Sequence, residues 1–189
     1  QRTAASLRRF LEDSKGRAPL CADRQSSRKG ANTLRAMAPA ENHLIVLLPR
    51  RERMSLLAAC ETVPLELGAV LCEAGEPTRH VYFPNSCTLS LISTIDDELG
   101  LEVGMVGQEG MLGAQLVLGV SAIPLRALVQ GSGTACRVGA APFRRELAQS
   151  KALQLALNRY VYVLMNQLAR SVACKRFHPS SRDSHAGCR

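Results

Sequence analysis

Short apolar runs, each stopped by glycine, proline or acidic residues, fill the middle of the chain. Val63–Leu67 ends at Gly68, Val70–Cys72 at the turn Glu73-Ala74-Gly75-Glu76-Pro77, and His80–Phe83 at Pro84-Asn85. Thr88–Ile95 alternates and stops at Asp96-Asp97, and Leu101–Val106 stops at Gly107. Leu125–Val129 and Thr134–Val138 close the region. Brief strands with this punctuation predict an antiparallel sandwich or barrel.

The flanks carry a different period. Residues 41–62 read as two short helices, with Leu44, Leu47 and Leu48 leading into Pro49. Pro49 suits a first helical turn, and Leu56, Leu57 and Cys60 then share one face. From Phe143 to about Arg176 there is neither glycine nor proline. Leu147, Leu153, Leu157, Tyr160, Leu164, Leu168 and Val172 recur mostly three and four apart. This predicts one amphipathic helix of about nine turns. Such a helix is too long to bury its stripe on a small barrel alone. Leu153, Leu157, Tyr160, Leu164 and Leu168 are therefore expected to form a two-helix seam with a second copy. The alternative is a helix packed on its own barrel. The fold class expected is α+β, mainly β: an antiparallel double-stranded β-helix (jelly-roll) barrel flanked by short N-terminal helices and a long C-terminal dimerisation helix.

Charge divides the chain the same way. The net charge is +8, but residues 1–40 carry +6, residues 41–142 carry −5 and residues 143–189 carry +7. A basic total alone suggests a polyanion partner. Here the expected core is acidic and the positive charge sits at the ends. Residues 1–40 read as a flexible basic arm and 177–189 as a disordered tail, because their apolar residues lack a period. Aromatics are 4% of the residues, which leaves few stacking surfaces for single-stranded nucleic acid.

Seven cysteines, Cys21, Cys60, Cys72, Cys87, Cys136, Cys174 and Cys188, are scattered without a CxxC pair or a histidine at ligand spacing. They read as separate thiols rather than a metal site, which favours a reducing compartment. No run approaches the length of a membrane span, and no signal-peptide centre is present at the start. A cytoplasmic location is the expectation.

Several segments together carry a resemblance. Val63-Pro64-Leu65-Glu66-Leu67-Gly68, then Leu71 and Glu73-Ala74-Gly75-Glu76-Pro77, precede His80-Val81-Tyr82-Phe83-Pro84 and Leu89-Ser90-Leu91. Glu102-Val103-Gly104-Met105-Val106-Gly107-Gln108-Glu109-Gly110-Met111-Leu112-Gly113 follows, and Leu168, Ala169, Ala173-Cys174, Lys175-Arg176 and His178 end the helix. From about residue 42 to 178 this order resembles the regulatory half of the Crp/Fnr superfamily of transcription regulators, with its cyclic-nucleotide-binding-like sensor domain. The resemblance implies a helix unbroken past Arg170. It also implies a ligand site at Gly110, Met111, Leu112, Gly113, Arg126 and Ala127, holding a cyclic nucleotide or another small anionic effector. In nucleotide-binding members, backbone amides and an Arg hold the phosphate and a carboxylate takes the ribose hydroxyl. Met111 stands at the carboxylate position and cannot accept that hydrogen bond. Gly110 and Gly113 equally suit a simple turn, Arg126 a solvated strand edge, and Tyr160 helix packing. Cys87 stands where the family has a turn glycine.

The family's helix-turn-helix needs further helices after the long one, and only 13 residues follow Arg176. The expectation is thus a sensing, dimerising domain with its DNA reader missing, DNA contact being left to full-length relatives. A non-sensing partner forming mixed dimers with intact regulators is the alternative. A cupin-like metalloenzyme is a further one, although it needs two or three histidines around a metal and the expected barrel holds only His80.

Overall fold

Asn42 starts the first helix and anchors it. The computed structural model describes residues 41–95 and 98–177. Helix α1 spans His43–Val46, and Asn42 Oδ1 accepts from Leu44 N at 3.0 Å as its cap. The same amide donates from Nδ2 to Pro84 O at 2.9 Å and to Gly110 O at 2.8 Å. Asn42 is 1% exposed, and all three bonds offset its burial. Pro49 caps helix α2, Arg50–Ala58. The helical reading of 41–62 overruns here, because Glu61 already opens a strand.

Seven strands follow: β1 Glu61–Leu65, β2 Val70–Cys72, β3 His80–Pro84, β4 Thr88–Ile95, β5 Glu98–Val106, β6 Arg126–Gly131 and β7 Gly133–Gly139. All seven expected runs are strands. They form two antiparallel sheets, ordered β1-β7-β3 and β2-β6-β4-β5. A 3-10 turn, Ala114–Leu118, crosses between β5 and β6. This is the α+β jelly-roll arrangement, built as two packed sheets.

Period-two alternation explains the double core. Val81 and Phe83 of β3, with Cys136 and Val138 of β7, face the helices and join Leu44, Leu56, Phe143, Leu153 and Leu157. Tyr82 and Ala135 point the other way, into a core between the sheets with Leu89, Leu91, Val106, Ala127 and Val129. Strand β3 is consequently buried on both faces. Phe83 and Phe143 meet with ring centroids 6.4 Å apart and both are fully buried.

At the Ser86-Cys87 corner the missing side chain belongs to the opposite strand. A Cβ on Gly133 would come within 2.6 Å of Ser86 C and 2.7 Å of Cys87 N. Gly133 thus lets the two backbones meet at this corner, where Cys87 is buried.

The long helix is two helices: α3, Ala140–Gln149, and α4, Lys151–Phe177. The expectation of one helix unbroken from Phe143 to Arg176 fails at Ser150, which is extended at φ −118 and ψ 103. Its hydroxyl accepts from Leu153 N at 3.1 Å and caps α4, while its own N–H closes α3 on Glu146 O at 3.0 Å. From Lys151 onward the helix runs unbroken through Arg170.

Helix α4 is clasped to the roll by one aromatic. Tyr160 is buried, and its hydroxyl donates to Met111 O at 3.1 Å. Gly110 permits this approach, since a Cβ there would lie 2.6 Å from the Tyr160 hydroxyl. Burial holds the phenol protonated well above its usual range. Residues 1–40 and 178–189, where the arm and tail are expected, lie outside the described residues.

Two outcomes follow from this packing. Phe143→Ala is expected to cost about 3–5 kcal/mol in urea unfolding, because it empties the contact with Phe83. Tyr160→Phe is expected to cost about 1–3 kcal/mol by the same measurement, because it strands the Met111 carbonyl; a neutral result in both variants contradicts the packing described.

Candidate functional site

The segment after β5 folds back under α4. Gly110 N donates to Gly107 O at 3.0 Å, and Leu112 exchanges two bonds with Tyr82, at 2.9 and 3.2 Å. Gly113 then turns at φ 96 into the 3-10 turn, where Leu116 N donates back to Gly113 O at 3.1 Å. Met111, Leu112, Ala114 and Leu116 are all buried. Glu109 Oε1 accepts from Gly107 N at 3.2 Å.

Between this segment and α4 lies a cavity of about 150 Å³. Met111, Leu112, Gly113, Ala114 and Gln115 form one wall, with Leu118, Ile123 and Leu91 beside them. Val161, Leu164, Met165 and Leu168 of α4 form the other. No ionisable side chain lines it. Gln115 is its one polar side chain: Nε2 donates to Thr78 Oγ1 at 2.6 Å, while Oε1 is buried without a partner. Leu118 and Met165, 61% and 63% exposed, mark the open side.

The expected ligand residues separate. Met111, Leu112 and Gly113 line the cavity, and Gly110 lies directly behind it under Tyr160. Arg126 and Ala127 are not part of its lining. Ala127 is fully buried in the inter-sheet core. The Arg126 guanidinium is at the surface, with Nε 3.2 Å from Glu73 Oε2, close enough for an ion pair though not aligned as a hydrogen bond. An exposed pair of this kind contributes little to stability, but it occupies the one cation expected to meet a phosphate.

The expected helix stripe also divides. Leu153, Leu157 and Tyr160 sit in the protomer's own core, and Leu164 and Leu168 face the cavity. A different face of α4 is open, carrying Leu155, Tyr162 and Met165. Sequence reasoning missed Gln115, Val161 and Met165 as site residues. Val161, Leu164, Met165 and Leu168 do repeat at i, i+3, i+4 and i+7, the signal that one helix face holds them together.

Cys60 is half-buried and its thiol is pushed up to about 12, first by burial and then by Cys136 and Glu146 nearby. Burial also raises Cys72 and Cys87. Thiols held protonated are poor nucleophiles and ligands. Among the described residues no group of three or more His, Cys, Asp or Glu is placed to hold a metal. No described helix is long and apolar enough to cross a membrane.

Solved structures give the fold its relatives. The sensor domain of the transcriptional regulator DNR from Pseudomonas aeruginosa matches with a TM-score of 0.52 at 19% identity, over 69% of this chain and 86% of that one. A cyclic nucleotide-binding domain from Methylobacillus flagellatus matches at 0.56 and 12% identity, over 73% and 80%. The catabolite activator protein of Thermus thermophilus matches at 0.52 and 12%, over 71% of this chain and 61% of that one. No protein-family model matches the sequence, and no curated protein matches it. The described residues have the fold of the cyclic-nucleotide-binding domain, the fold of the sensor domains of Crp/Fnr-type regulators.

Proposed function

We propose that this chain supplies the effector-sensing, dimerising, non-catalytic part of a Crp/Fnr-type transcription regulator working in the cytoplasm. Residues 41–142 serve as the sensing roll and 143–176 as the helical output. The observation that carries this is the shared wall of the cavity. One side belongs to the Met111–Gln115 segment and the other to α4. Whatever fills the cavity touches both, and so biases the position of the helix. The DNA reader of such a regulator is not among the described residues.

The second copy meets α4 on its open face. Leu155, Asn158, Tyr162, Met165 and Ala169 are exposed and repeat at alternating steps of three and four. That is the spacing of a two-helix seam. Over 27 residues the helix is about 40 Å long, enough for several such layers. The stripe expected from the sequence is engaged within the protomer, and the seam falls on the neighbouring face. Met165 belongs to both seam and cavity mouth, which joins ligand to dimer.

Sedimentation equilibrium is the test. The wild-type chain is expected to be a dimer. Leu155→Glu and Tyr162→Glu each place a charge in the seam and are expected to weaken it on the order of tenfold or more, with an unchanged circular dichroism spectrum. A wild-type chain that stays monomeric at every concentration, or a dimer indifferent to both charges, removes the dimerising half of the proposal.

A further inference from the structure

Resting on the sensor reading, we propose that the cavity between the Met111–Gln115 segment and α4 takes a small uncharged, largely apolar molecule, and not a cyclic nucleotide. Size is the first argument. At about 150 Å³ the cavity matches an apolar void that takes benzene, and it is half the roughly 300 Å³ at which pockets for drug-sized ligands begin. A nucleotide with base, ribose and phosphate belongs to that larger class.

Charge is the second. With no ionisable side chain in the lining, a phosphate entering here loses its water and gains no counter-charge. Its expected partner Arg126 is outside, beside Glu73. The amides of Gly110 and Leu112 are already taken, by Gly107 and Tyr82. Where a ribose hydroxyl would need a carboxylate, the side chain is Met111.

The rest of the lining is the third. The Gln115 amide is held by Thr78 at one end and its Oε1 is buried out of contact with solvent, so the accessible wall is apolar. A ligand with many polar groups leaves them stranded against leucine.

Methyl-labelled methionine in the full 189-residue chain reads the site directly. Met111 and Met165 line the cavity, and Met54 is outside it as an internal control. Titration with phenol and with toluene is expected to shift Met111 and Met165 but not Met54. Cyclic AMP and cyclic GMP at the same concentrations are expected to leave all three in place. Leu164→Phe is expected to fill the space and weaken both phenol and toluene; should that variant misfold, the Met111 and Met165 shifts of the wild-type chain still decide. A cyclic nucleotide that shifts both methionines, and fails to in Arg126→Ala, overturns the ligand class while upholding a sensor. Phenol and toluene that move neither methionine in a folded dimer overturn the site, whereas the failure of the regulator reading shows separately in sedimentation.

Discussion

Tyr160 sets where the helix lies on the roll. Its ring reaches Gly110 only because no Cβ stands in the way, and its hydroxyl satisfies the carbonyl of Met111. Asn42 completes the arrangement from the other side, by donating to the carbonyl of Gly110. Two successive buried carbonyls thus depend on two side chains far away in sequence. Each unpaired carbonyl costs more than a paired one gains, so these contacts fix register as much as they add stability. The α4 wall of the cavity is held where it is by this clasp.

Placing the helices over β3 and β7 has a consequence for sequence pattern. Strands exposed on one face alternate apolar and polar residues. Strand β3 is covered by helices on one face and by the second sheet on the other, and its run His80-Val81-Tyr82-Phe83-Pro84 is apolar almost throughout. Fully buried strands read as continuous runs. The tilted Phe83–Phe143 contact then ties α3 to the covered face, so both helices of the C-terminal part are anchored in the same core.

Strands were legible because each ends on a residue with its own physical reason to turn: Gly68, Gly75, Pro84, Gly107. The helix break was not legible, because Ser150 interrupts neither apolar period nor propensity strongly. A serine breaks a helix only when its hydroxyl takes up a cap, and that depends on where Leu153 is packed. The apolar positions of α4 were read correctly as apolar, yet three were assigned to a partner and are held by the protomer. Periodicity finds a stripe but does not say what covers it, and α4 carries more than one. Arg126 illustrates a longer-range limit. Its place in sequence fits a phosphate contact, but Glu73, more than fifty residues earlier, draws the guanidinium to the surface. No local pattern records that pairing.

The substitutions around Met111 hang together once the backbone is counted. A phosphate cradle needs amides with nothing else to do. Here the Leu112 amide completes a bridge to β3, and the Gly110 amide closes a turn. Those two donors are engaged, and a carboxylate at residue 111 would sit buried beside leucines with no counter-ion. Methionine at that position, apolar and adaptable in shape, removes that penalty and adds wall area. The same change that closes the site to a nucleotide makes it continuous with Leu164 and Leu168 on α4. An apolar occupant then acts on the helix by packing alone, through contacts that exist only while Tyr160 holds the two walls apart at a fixed distance.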